Sequence, residues 1–144
     1  MLHLRVERTI AAPPERVFDW LADPVNLTAT PLIFRAGWSA PTVEPGVGAV
    51  REAVAVSMWL REEITAFDRP HGYSYRIIRS FPPMHHDGGS LTLTPTAAGT
   101  HVVWVSDLAY PLRAGGRLTE AIAAPLLRSG FSSILAGCAK ALEG

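Results

Sequence analysis

The last quarter of the chain constrains everything before it. After the Gly115-Gly116 break, apolar residues recur at Leu118, Ile122, Leu126, Phe131, Ile134, Leu135, Cys138 and Leu142. This is the three-to-four spacing of one helix face, and it predicts a long amphipathic helix over Gly115 to Leu142. At about 1.5 Å per residue such a helix is roughly 40 Å long and needs a broad apolar surface to lie on. Pro125 falls well inside it, with Ser129-Gly130 soon after. Proline removes one backbone hydrogen bond and crowds the preceding turn, so a bend is expected. A bent helix laid across a curved sheet leaves room for a pocket between the two.

Composition limits the alternatives. The chain has 144 residues, of which 48% are hydrophobic and 18% charged, which fits a single globular domain over residues 1–144 with a substantial core. Thirteen basic residues balance thirteen acidic ones without a block of like charge. That balance argues against nucleic acid or an anionic membrane surface as partner. The single cysteine, Cys138, lies on the apolar helix face and has no internal disulfide partner, and the opening Met1-Leu2-His3-Leu4-Arg5 lacks a signal-peptide hydrophobic core. Cytoplasmic location is therefore the expectation. No apolar run is expected to reach the roughly 20 residues of a transmembrane segment.

Along the chain, Leu2, Leu4, Val6 and Ile10 interleave with His3, Arg5 and Glu7 as in a strand with one buried face. Pro13-Pro14-Glu15 then starts a helix, with proline in the first turn and Glu15 at the positive end of the helix dipole. Its inner stripe is Val17, Phe18 and Leu21. Pro24 ends it, and Pro24-Val25-Asn26-Leu27 has room for one more short helix before Pro31. From Leu32 to Tyr110 the period becomes two, punctuated at Pro45-Gly46, Asp68-Arg69-Pro70-His71-Gly72, Pro82-Pro83, Gly88-Gly89 and Thr96-Ala97-Ala98-Gly99. The segments between read as six strands of an antiparallel meander, with a tight turn expected near Ser57. With the first strand, that makes seven.

This order resembles the helix-grip fold of the START/polyketide cyclase (SRPBCC) superfamily, which includes the birch-pollen allergen group. The residues that carry the resemblance are Ile10-Ala11-Ala12-Pro13-Pro14-Glu15-Arg16-Val17-Phe18, Pro24-Val25-Asn26-Leu27, Gly46-Val47-Gly48-Ala49-Val50-Arg51, Arg61-Glu62-Glu63-Ile64-Thr65, Tyr73-Ser74-Tyr75-Arg76 and Gly99-Thr100-His101-Val102-Val103-Trp104. They span nearly the whole chain but are turn and core positions, so they speak to fold more than to chemistry. The fold implied is α+β: a seven-stranded curved antiparallel sheet wrapped around a long C-terminal helix, with two short helices between strands 1 and 2. The resemblance also implies an apolar cavity for a lipid, polyketide or aromatic metabolite, with no cofactor.

Strand parity then nominates the lining: Met58, Tyr73, Tyr75, Leu91, Leu93, Trp104 and Tyr110 from the sheet, with Leu126 and Ile134 from the helix. Glu62 shares the face of Met58, Leu60 and Ile64. A lone carboxylate turned into an apolar cavity should have a raised pKa and could act as acid, base or anchor; the favoured alternative has Glu62 solvated near the strand end or paired with Arg51 or Arg76. His85-His86-Asp87 contains metal-ligand types, but adjacent residues in an extended segment face opposite ways and no second cluster has ligand spacing. No metal is expected, and His85 is instead a candidate general base at the cavity mouth.

Three function classes remain open. The leading one is a binding protein for a small hydrophobic molecule. The second is a polyketide cyclase or dehydratase, with Glu62, His85 or Asp107 taking a proton beside a carbonyl and Arg51 or Tyr75 holding the enolate; Asp107 is expected on the outward parity. The third is an interaction protein whose cavity is filled by Trp104 and Tyr75. Trp59 and the outward Val103 and Val105 could form an apolar outer patch and a homodimer contact.

Overall fold

The structure, a computed structural model, describes residues 1–40, 44–56 and 58–143. The turn expected at Ser57 lies outside the described residues. Seven strands, β1 (Leu2–Ile10), β2 (Ile33–Trp38), β3 (Val50–Ala55), β4 (Trp59–Asp68), β5 (Gly72–Phe81), β6 (His85–Thr96) and β7 (Gly99–Ala109), form one antiparallel sheet in the order β1-β7-β6-β5-β4-β3-β2. Between β1 and β2 come helix α1 (Pro14–Ala22) and a 3-10 helix (Pro24–Ala29). Helix α2 (Gly116–Leu142) closes the chain. The expected helix-grip architecture is the observed one.

Local chemistry explains the entry into the sheet. α1 starts with proline in its first turn and Glu15 beside it, and buries Val17, Phe18 and Leu21. Asp23 ends α1 and caps the 3-10 helix, its carboxylate accepting the Val25 N–H at 3.1 Å, which satisfies a donor that the start of a helix leaves free. The main core lies where α1 and the second half of α2 meet the concave sheet face. Phe18, Tyr73, Leu91, Leu93, Val102, Ile134, Leu135 and Cys138 are packed there. A smaller cluster of Leu4, Leu108 and Tyr110 sits beneath Ala123 and Leu127 of α2.

Two expectations are corrected. Gly88-Gly89 is not a turn but part of β6, a strand of 12 residues. Tyr75 stands opposite Gly89 in the ladder, and a Cβ on Gly89 would overlap the Tyr75 ring. Glycine is needed there because the tyrosine ring lies over the neighbouring backbone, one of the reasons glycine occurs inside strands.

The second correction concerns α2, whose apolar positions do not share one face. Leu118, Ile122 and Leu126 are exposed, while Glu120, Ala124, Ile134, Leu135, Cys138 and Ala139 are buried. The cause is the five-residue step from Leu126 to Phe131. At about 100° per residue it overshoots a full turn by about 140°, so the stripe changes sides near Pro125–Gly130. The buried Glu120 is held by the N-terminal amino group at 3.1 Å and accepts the Tyr110 N–H at 3.3 Å. Among the described residues α2 is also the one helix long and apolar enough, by length and composition, to cross a membrane, although Arg117, Glu120, Arg128 and Lys140 interrupt it and no continuous apolar run reaches that length. The core helix of a folded domain meets the same criteria, and the second half of α2 is such an element. On the convex face, Trp59 has the guanidinium groups of Arg61 and Arg79 over its ring at 5.7 and 6.0 Å, so cations flank this part of the expected apolar patch.

Candidate functional site

α2 and the sheet do not close on each other at the β3–β5 end. A cavity of about 250 Å³ remains, walled by β3, β4, β5, β7, the 3-10 helix and the middle of α2. The α2 wall includes Gly130 and Phe131, and Phe131 stacks on Trp104 with ring centroids 4.2 Å apart and planes 8° from parallel. Trp104 and Tyr75 therefore line the space without filling it. Most of the wall is apolar, drawn from Leu, Ile, Val, Ala and Met side chains.

The charged groups on the wall are Arg51 and Glu62. They are directly opposite each other on β3 and β4, and Arg51 Nε donates to Glu62 Oε2 at 2.6 Å. Arg51 is 1% exposed and Glu62 8%. A second Arg51 N–H reaches the Tyr73 hydroxyl at 3.2 Å, and Tyr73 in turn donates to the Leu21 carbonyl at 3.0 Å. The Arg51 guanidinium also lies 5.3 Å from the centroids of both the Tyr73 and Tyr75 rings, close enough for cation–π attraction. Burial works against the arginine's charge, but Glu62 and Tyr73 outweigh it and its pKa is raised. The carboxylate thus faces the cavity as half of an ion pair, with Arg51 rather than Arg76 as its partner, and not as a lone group.

A second polar string runs along β5, β6 and β7. The Ile77 backbone N–H donates to His86 Nδ1 at 3.0 Å, and His86 Nε2 lies 2.8 Å from Ser106 Oγ. Because Nδ1 accepts a hydrogen bond, the proton of the neutral ring sits on Nε2 and is donated to Ser106. Burial holds the His86 pKa below its usual value, partly offset by Glu62, Asp107 and Asp87. With Nε2 protonated, His86 cannot take the Ser106 proton, which excludes a Ser–His nucleophilic pair here. The His86 ring also stacks on Tyr75, centroids 5.5 Å apart. The Tyr75 hydroxyl accepts Trp104 Nε1–H at 2.8 Å. Burial pushes the Tyr75 pKa up, Glu62 adds to this, and hydrogen bonds from Trp104 and Ser106 oppose it. Tyr75 is a neutral hydroxyl at any ordinary pH.

Of the residues nominated from the sequence, Met58, Glu62, Tyr75, Trp104, Leu126 and Ile134 are on the cavity wall. Tyr73, Leu91, Leu93 and Tyr110 are buried in the core clusters instead. His85 is off the wall: its side chain is exposed and lies 2.9 Å from Asp87. Asp107 points outward to His3 at 2.6 Å. Among the described residues no three or more His, Cys, Asp or Glu side chains gather as metal ligands. Phe131 and Thr30 are among the wall residues that were not nominated from the sequence, and His86 was missed behind the wall. A bulge explains His86: the register against β7 shifts between His86 and Gly88, which reverses the parity counted back from Leu91 and turns His86 inward in place of His85. Cys138 is fully buried and burial pushes its thiol pKa up to about 12, so it packs as an inert side chain.

Comparison with known families agrees with this geometry. The family model described as "Polyketide cyclase / dehydrase and lipid transport" matches residues 1–143. The chain belongs to that family. As a member of the polyketide cyclase/dehydrase and lipid-transport family it also has many structural neighbours. A protein of Thermus thermophilus, TTHA0849, superposes with a TM-score of 0.75 at 23% identity, covering 96% of this chain and 95% of the other. CV1439 of Chromobacterium violaceum gives 0.71 at 21% identity over 100% and 99% of the two chains, and Ms6760 of Mycobacterium smegmatis 0.69 at 20% over 96% and 89%. At these identities the likeness is one of fold. Comparison with curated proteins gives no match.

Proposed function

We propose that the protein binds a small hydrophobic molecule between its sheet and α2. The observation that carries this reading is the apolar cavity of about 250 Å³, open beside the stacked Trp104–Phe131 pair and left unfilled by them. It is close to the lower end of the roughly 300–1,000 Å³ typical of ligand pockets, and like them it combines apolar walls with a few placed polar groups. The space also weighs against an interaction protein with a collapsed cavity. Native mass spectrometry of protein purified from its own source, followed by organic extraction, tests the reading. A stoichiometric hydrophobic compound is expected; an empty protein that takes up no lipid or aromatic compound from a panel would refute it.

The convergence of Arg51, Glu62 and Tyr75 favours cyclase or dehydratase activity as a second reading. Glu62 would take the proton from a carbon next to a carbonyl while Arg51 and Tyr75 hold the enolate oxygen. Glu62→Gln separates the two, since a carrier retains its neutral ligand and a cyclase loses turnover. His85 and Asp107 have no part in either, as both point away from the cavity.

A further inference from the structure

We infer that the cavity is a charge filter that admits uncharged molecules bearing an oxygen acceptor and rejects carboxylates of the same size. This rests on the binding reading above and assigns the class of ligand. Arg51 and Glu62 are the charged residues on the wall, and they neutralise each other at 2.6 Å. A ligand carboxylate entering this space would lose its hydration and meet a cation whose charge is already balanced, with the Glu62 carboxylate beside it. Such an uncompensated buried charge is strongly unfavourable.

A neutral carbonyl escapes that penalty and still finds donors. Of the five guanidinium N–H groups of Arg51, one is given to Glu62 and one to Tyr73 among the described residues. The Tyr75 hydroxyl accepts from Trp104 and has its own proton to give. Thr30 Oγ1, on the same wall, is buried without a hydrogen-bond partner among the described residues. A buried hydroxyl of that kind calls for a hydrogen-bond partner. The polar groups facing the cavity are thus suited to a ketone, ester or alcohol oxygen, and the apolar remainder to a hydrocarbon body.

The test is a pair of calorimetric titrations near neutral pH with methyl decanoate and sodium decanoate, on the wild-type protein and on Glu62→Gln. Glutamine keeps an oxygen for Arg51 Nε–H but removes the negative charge. In the wild type the ester is expected to bind at least about 100-fold more tightly than the carboxylate. In Glu62→Gln the unbalanced guanidinium should recruit the carboxylate, collapsing that ratio below about tenfold or inverting it. Decanoate binding the wild type as tightly as the ester overturns the inference and leaves the binding reading standing. So does a ratio unmoved by Glu62→Gln. Failure of both compounds and of a matching methyl ketone to bind overturns the binding reading itself. Should the variant fail to fold, the wild-type pair of titrations decides.

Discussion

Replacing Arg51 by Met, which removes the charge but keeps most of the volume, is expected to be among the most destabilising single changes in the sheet. The reason is the Glu62 carboxylate left behind: at 8% exposed it would lose its charge-assisted hydrogen bond and its counter-charge together. Breaking a buried ion pair from one side costs about 3–5 kcal/mol, whereas replacing both members by apolar residues of similar volume is often neutral or stabilising. For a chain of 144 residues, each kcal/mol lowers Tm by roughly 3 °C, so Arg51→Met should melt about 10 °C or more below the wild type. The Arg51→Met/Glu62→Met double variant should recover most of that loss, because no charge then remains in the cavity. Urea denaturation followed by circular dichroism, on the wild type, both single variants and the double, gives the coupling energy directly. If Arg51→Met alone lies within about 1 kcal/mol of the wild type, or the double variant is as unstable as the sum of the singles, the pair is not the desolvated ion pair described here.

Two further outcomes are expected from neighbouring groups. His86 has a folded-state pKa below its ordinary 6.5 because burial disfavours the imidazolium, so on acidification the unfolded chain takes up the proton first. The neutral ring's stability advantage is present above about pH 6.5 and is lost as pH falls through the lower folded value. His86→Gln should flatten this part of the stability–pH curve, which urea midpoints between about pH 7.5 and 5 would reveal; an equally steep loss in the variant would show that other groups are responsible. Gly89→Ala puts a Cβ into the Tyr75 ring and should cost about 1–3 kcal/mol while displacing a cavity wall, so ligand affinity should fall with stability. Unchanged affinity and melting temperature would contradict the close approach of Tyr75 to the β6 backbone.

Much of the architecture was legible because it is encoded over short distances. The alternation at Leu2, Leu4 and Val6, the Pro14 start of α1 and the Gly115 break before α2 each depend on a few consecutive residues and the backbone they favour. Element order is a sum of such local choices, so it could be written down from the chain alone.

The site was legible only in part, for three structural reasons. The five-residue step after Leu126 moved the apolar stripe of α2 to the other side of the helix, so Leu118 and Ile122 are exposed. The bulge at Asp87 exchanged His85 for His86 inside the sheet. Tyr73, counted as lining, lies behind Arg51 and anchors it to α1.

The amino-acid sequence by itself determined the seven strands and the helices between and after them, since periodicity and turn chemistry act within a few residues, while the helix-grip class came from the resemblance to a known family. The tertiary structure alone decided which face of α2 meets the sheet, which histidine turns inward, and that Arg51 and Glu62, eleven residues apart, neutralise one another on the cavity wall. Those outcomes depend on strand register and helix phase, which a single bulge or a five-residue step can reverse, and they are settled by packing between segments distant in the chain.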